Sequence, residues 1–101
     1  MQIILTTVSK KSDATKLAKA LVTKKLAVCV NIVKTESSIY RWKGKVVEDK
    51  EFLLIIKIQE KNYRAIETFI LKFHPYDLPE IVALPVDRVH KEYLNWVRKR
   101  S

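Results

Sequence analysis

One glycine, one cysteine, one methionine and three prolines are spread over 101 residues. So little glycine and proline excludes a flexible linker or a low-complexity tract, and nearly every residue is expected in a regular element. A lone cysteine, Cys29, cannot close an internal disulfide. Packing must hold the fold, as suits a reducing, cytoplasmic compartment. No GxSxG, HExxH, CxxC, P-loop or GxGxxG pattern occurs, and one glycine cannot furnish the usual phosphate-cradling loop. No catalytic apparatus is visible, so an enzyme is not expected. Met1 to Val8 lacks the basic flank and apolar length of a signal peptide or membrane span, so neither export nor membrane insertion is expected.

Hydrophobic residues make up 48% of the chain and charged residues 31%, enough apolar material for one core, so residues 1–101 are expected to form a single domain. Twenty Lys and Arg against eleven Asp and Glu leave a net charge of +9, which raises the question of a polyanionic partner. The basic residues fall between elements, at Lys10-Lys11, Lys24-Lys25, Lys43 with Lys45, and Arg98-Lys99-Arg100. None builds a sustained stripe, so a solvated surface is expected and nucleic acid is not the expected partner. Abundant charge with few thermolabile residues also suits a heat-adapted, thermostable protein.

Residues 2 to 8 are β-branched and apolar, and read as a strand. Ser12 offers a helix N-cap with Asp13 in the first turn, and Ala14, Leu17, Ala18 and Leu21 follow at helical spacing to about Leu26. From Val28 the period becomes two, pauses at Lys34 to Ser37, and resumes through Ser38, Tyr40 and Trp42, which predicts a strand with a bend. Gly44 supplies the positive φ of a hairpin tip. The chain returns through Val46 to Asp49 into the dense apolar run Phe52 to Ile58, a central strand. Tyr63, Ile66, Phe69, Ile70 and Phe73 predict a second helix that His74-Pro75 ends. Ile81 to Val86 reads as a last strand with Pro85 at an edge, and Tyr93, Leu94 and Val97 as a closing helix.

The order βαββαβ plus a C-terminal helix predicts an α+β ferredoxin-like plait, a four-stranded antiparallel sheet with helices on one face. The hairpin between the second and third strands is much longer than an ordinary strand pair, so its outer part should project past the helices. Tyr40 and Trp42 near its tip would then stand wet in a monomer beside an unpaired edge, which predicts oligomerisation through the hairpin.

Four blocks, Ala27-Val28-Cys29-Val30-Asn31, Ser38 to Lys45, His74-Pro75-Tyr76-Asp77-Leu78-Pro79-Glu80-Ile81 and Tyr93-Leu94-Asn95-Trp96, resemble in order and spacing the CutA family of divalent-cation tolerance proteins, across essentially the whole chain. The resemblance implies a homotrimer joined through edge strands and the long hairpin, similar to PII signalling proteins, with a metal-linked binding or signalling role and no established enzymatic activity. It also implies a copper site built from a first-strand Cys and a His pair. Here Thr6 stands at the position resembling that Cys, and Phe73 precedes His74, so one ligand of the three is retained.

The candidate metal ligands are accordingly His74, Cys29 and Glu48, the last from an acidic cluster with Asp49 and Glu51. Each has a plainer role available: a helix-end cap, a small apolar side chain, a solvated carboxylate. His90 has no candidate partner nearby in sequence. Tyr40, Trp42 and Trp96 are the candidate trimer contacts, since indoles favour interfaces. No obligatory cofactor is expected, and Cu(II) or another divalent cation is the candidate ligand. A PII-like sensor of a small anion, bound in clefts between subunits, is the main alternative. An RNA-binding plait would display stacking aromatics on its central strands, whereas Ile3 to Val8 has none and the third strand only Phe52. An acylphosphatase-like enzyme would need an anion-binding loop after the first strand, and Ser9-Lys10-Lys11 has no glycine there.

Overall fold

The computed structural model describes residues 1–100. Ten elements follow one another: β1 (Gln2–Val8), α1 (Lys11–Thr23), β2 (Cys29–Lys34), β3 (Ser38–Trp42), β4 (Lys45–Asp49), β5 (Phe52–Ile58), a 3-10 turn (Glu60–Asn62), α2 (Tyr63–Phe73), β6 (Val82–Pro85) and α3 (Lys91–Arg100). Four strands form an antiparallel sheet in the order β2-β5-β1-β6. The apolar strands β1 and β5 are therefore central, as their composition demands, and the Pro85-bearing β6 is an edge. This is the ferredoxin-like plait that the element order predicts.

Alternation along the central strands divides the sheet into two faces. Ile4, Thr6 and Val8 of β1 and Leu54, Ile56 and Ile58 of β5 are fully buried, and pack with Ala14, Leu17 and Leu21 of α1 and with Ile66 and Ile70 of α2. The opposite face carries Ile3, Leu5, Leu53 and Ile55, all only half-buried. A face this apolar is normally covered.

Two helix boundaries differ from the sequence reading. α1 begins at Lys11 with Lys10 as N-cap, so Ser12 lies inside the first turn and makes no cap bond. The Lys10 carbonyl takes the Ala14 N–H at 3.1 Å, which moves the start two residues upstream of the expected cap. The helix ends at Thr23, not near Leu26, because Lys25 adopts φ +60°. The Lys25 N–H then donates to the Val22 carbonyl and the Leu26 N–H to the Leu21 carbonyl, each at 3.0 Å. That pair of bonds is a Schellman motif, with lysine where glycine is usual.

The bend expected near Lys34 to Ser37 separates β2 from β3, and β3 and β4 form their own two-stranded ribbon. Lys43 and Gly44 at its tip have φ +50° and +77°, the two positive values a type I′ turn requires. The ribbon strands contact essentially only each other, which fits principal extents of 45 × 26 × 21 Å.

Candidate functional site

The base of the ribbon is stitched by side-chain bonds that periodicity cannot reveal. The Thr35 N–H donates to the Glu51 carbonyl at 2.9 Å, and its hydroxyl donates to the same carbonyl at 3.0 Å. The Glu51 N–H in turn donates to the Thr35 hydroxyl oxygen at 3.1 Å. Glu51 is thereby drawn into the structure and buried, while Glu48 and Asp49 stay exposed on the ribbon. The acidic cluster read from the sequence is thus divided between two environments.

His74 caps α2 and is buried, with only 9% of its surface exposed. Its Nδ1 accepts the Tyr76 N–H at 3.0 Å. The ring proton must then sit on Nε2, which donates to the Thr7 carbonyl at 2.9 Å. Burial holds the imidazole below its ordinary pKa, opposed in part by the Thr7 bond and by the charges of Asp13 and Glu51. The Tyr76 ring meets the imidazole edge-on at 4.9 Å, and the Tyr76 hydroxyl donates to Glu51 Oε2 at 2.7 Å. Burial first, and then that bond to Glu51, push the phenol well above its usual range. Partial burial and the charge of Glu51 also raise the carboxyl of Glu80, at the edge of this cluster.

His74, Tyr76, Glu51 and Thr35 therefore form a continuous neck that ties the ribbon's base to β1 and α2. Both imidazole nitrogens are engaged, so a metal ion reaching Nδ1 must displace the Tyr76 N–H. Thr6, at the position resembling a family cysteine, is fully buried, and its hydroxyl has no hydrogen-bond partner among the described residues.

Sheet register separates the proposed ligands. Thr7, which receives the His74 bond, lies opposite Leu53, and Leu53 opposite Val33. Cys29 lies four residues down β2, opposite Lys57, or about 13 Å away at the rise of a strand. Its thiol is free and partly buried, near the Asn31 amide oxygen at 4.0 Å. Glu48 sits on the ribbon opposite Ile39. Among the described residues no three His, Cys, Asp or Glu side chains come together as a metal centre, so these three ligands do not form one site within a chain.

The interface candidates stand differently. Trp42 is 52% exposed on one face of the ribbon, and Ile39 and Val46 are 67% and 69% exposed on the other. Tyr40 is partly exposed and its hydroxyl donates to Asp49, a bond that raises the phenol pKa. Trp96 lies apart on α3, stacked on Tyr93 at 5.6 Å with the Arg100 guanidinium over its ring at 5.0 Å. Sequence reasoning missed the half-buried sheet face and the Thr35–Glu51 stitch. The unbroken apolar run of β5 was the available signal for the first.

The class the structure defines is a ferredoxin-like plait with one apolar, half-buried sheet face and an aromatic ribbon beyond it. Residues 2–100 match the model for the CutA1 divalent ion tolerance protein family, and the chain belongs to that family. It is 45% identical over 100 residues to the divalent-cation tolerance protein CutA of Thermus thermophilus, covering 99% of this chain and 97% of that one. Human protein CutA is 45% identical over 86 residues, where the match covers 85% of this chain and about half (48%) of the relative. The solved Thermus thermophilus structure superposes with a TM-score of 0.94, covering 100% of this chain and 99% of that one at 45% identity. A Pyrococcus horikoshii CutA1 structure does so with 0.96 at 35% identity, covering 100% and 98%. No helix among the described residues is long and apolar enough to cross a membrane.

Proposed function

We propose that the protein acts as a single-domain, cytoplasmic homotrimer, a non-enzymatic binding protein responsive to divalent cations. The observation that carries the assembly is the apolar surface left without cover. Ile3, Leu5, Leu53 and Ile55 form one face of the sheet, and Ile39, Trp42 and Val46 stand out on the ribbon. Surface of this extent is stabilised by contact with another chain. The edge strands β2 and β6 supply unpaired backbone beside it. The one unpaired cysteine supports residence in the cytoplasm.

The metal-linked part rests on the family's divalent-ion tolerance and on the donors this chain offers. Glu48 is the exposed donor, hard enough for many divalent cations and placed on the ribbon that the trimer brings together. Cys29 and His74 are secondary candidates outside that site, the first at the far end of the sheet, the second with its Nδ1 already bonded. Light scattering should give a mass of three chains. Calorimetric titration of the tag-free trimer with Cu(II) should show saturable binding that Glu48→Gln weakens at least about tenfold, or 1.4 kcal/mol, and that His74→Ala leaves nearly unchanged. A monomer mass would overturn the assembly. Loss of binding in His74→Ala alone would return the site to the imidazole.

A further inference from the structure

The apolar stripe of α2 does not all reach the core. Ile66 and Ile70 are fully buried, yet Phe73 is 58% exposed, although the same spacing predicts it on the packed face. Phe73 instead forms one wall of a groove between the two helices. Leu17 and Ala20 of α1 and Phe69, Phe73 and Pro75 line a cavity of about 370 Å³, with Asp13, Lys16 and Lys24 at its rim. Positions 13, 16, 17, 20 and 24 are one stripe of a helix, so the groove follows the α1 axis. The Phe69 and Phe73 ring centres lie 4.6 Å apart, the rings tilted by 38°. Lys24 Nζ stands 5.8 Å from the centre of the Phe69 ring, and Lys72 Nζ 5.5 Å from that of Phe73.

We propose that this groove is a docking site for an acidic, amphipathic segment of a partner protein, whose aliphatic or aromatic side chains seat against Phe69 and Phe73. Lys16 and Lys24 line the groove against one carboxylate, Asp13, and Lys72 stands over the ring of Phe73, so the groove selects carboxylates beside the anchoring residues. The concave floor has room for a few large side chains, the mode by which a helix is bound in a groove. A planar lipid surface would meet the lysines but not the recessed Leu17 and Ala20. Docking here leaves free the sheet face assigned above to assembly, because the helices cover the other side of the sheet.

The test uses the tag-free full chain and a fluorescein-labelled helical peptide with Leu at i, i+4 and i+7 and Glu at the intervening exposed positions, beside the same peptide with Lys for Glu. Fluorescence anisotropy should show saturable binding of the Glu peptide only. Phe73→Ala should weaken it at least about tenfold, and the double variant Lys16→Glu, Lys24→Glu should reverse the preference toward the Lys peptide. Light scattering alongside establishes that each variant keeps the wild-type mass. Absence of saturable Glu-peptide binding, equal binding of both peptides, or indifference to both sets of substitutions would overturn the proposal. So would Phe73-dependent adsorption to phosphatidylserine vesicles that exceeds peptide binding. A monomeric wild type that binds the Glu peptide would overturn the assembly reading and leave this one standing.

Discussion

Tyr76 donates its backbone N–H to His74 Nδ1 at 3.0 Å, and so fixes which nitrogen of the buried ring carries the proton. Protonating Nδ1 would replace that attraction with two donors facing each other. The cost adds to the burial that already lowers the His74 pKa.

A pH dependence follows, with a definite sign. The folded-state pKa lies below the unfolded value of about 6.5, so the unfolded chain binds more protons between the two. Stability contributed by neutral His74 is fully present above the unfolded value and is lost as pH falls from there toward the folded one. Urea midpoints should therefore fall through this window more steeply in the wild type than in His74→Gln. Equal slopes would show that the ring does not titrate with folding.

The Thr35 hydroxyl both accepts from the Glu51 N–H and donates to the Glu51 carbonyl. Thr35→Val keeps the shape and leaves that amide without its acceptor, which should cost about 1–3 kcal/mol. Thr35→Ser should recover most of the loss. Hydrogen exchange at the Glu51 amide is the local readout, and protection unchanged in Thr35→Val would refute the stitch.

Lys25 holds φ +60° at the end of α1, in the left-handed region that glycine enters without penalty. Lys25→Gly should raise stability by about 0.5–1 kcal/mol in urea denaturation, and Lys25→Val should lower it. A destabilised glycine variant would mean that the lysine side chain contributes more than its backbone conformation costs.

Trp42 exposes half its surface on the ribbon while Ile39 and Val46 expose more. If these residues bury in the trimer, Trp42→Ala should weaken association by on the order of 2 kcal/mol or more. Native mass spectrometry across a dilution series should then find monomer at concentrations where the wild type remains trimeric. An unshifted dissociation curve would remove Trp42 as an anchor.

The sequence by itself determined the order of elements, the central places of β1 and β5, the turn at Gly44 and the ribbon beyond the bend. Each is written in the local spacing of apolar residues or in one residue's backbone freedom. It also carried the four blocks that mark the CutA1 family. Tertiary structure alone decided that Glu51 is buried while Glu48 is not, that Phe73 lines a groove, and that His74 bonds Thr7, 67 residues away. It also decided that Cys29 and His74 occupy different ends of the sheet. Periodicity records which side of its own helix or strand a residue occupies. What stands opposite that side is set by packing between distant segments, and there the partners, lone pairs and protonation states of this protein are decided.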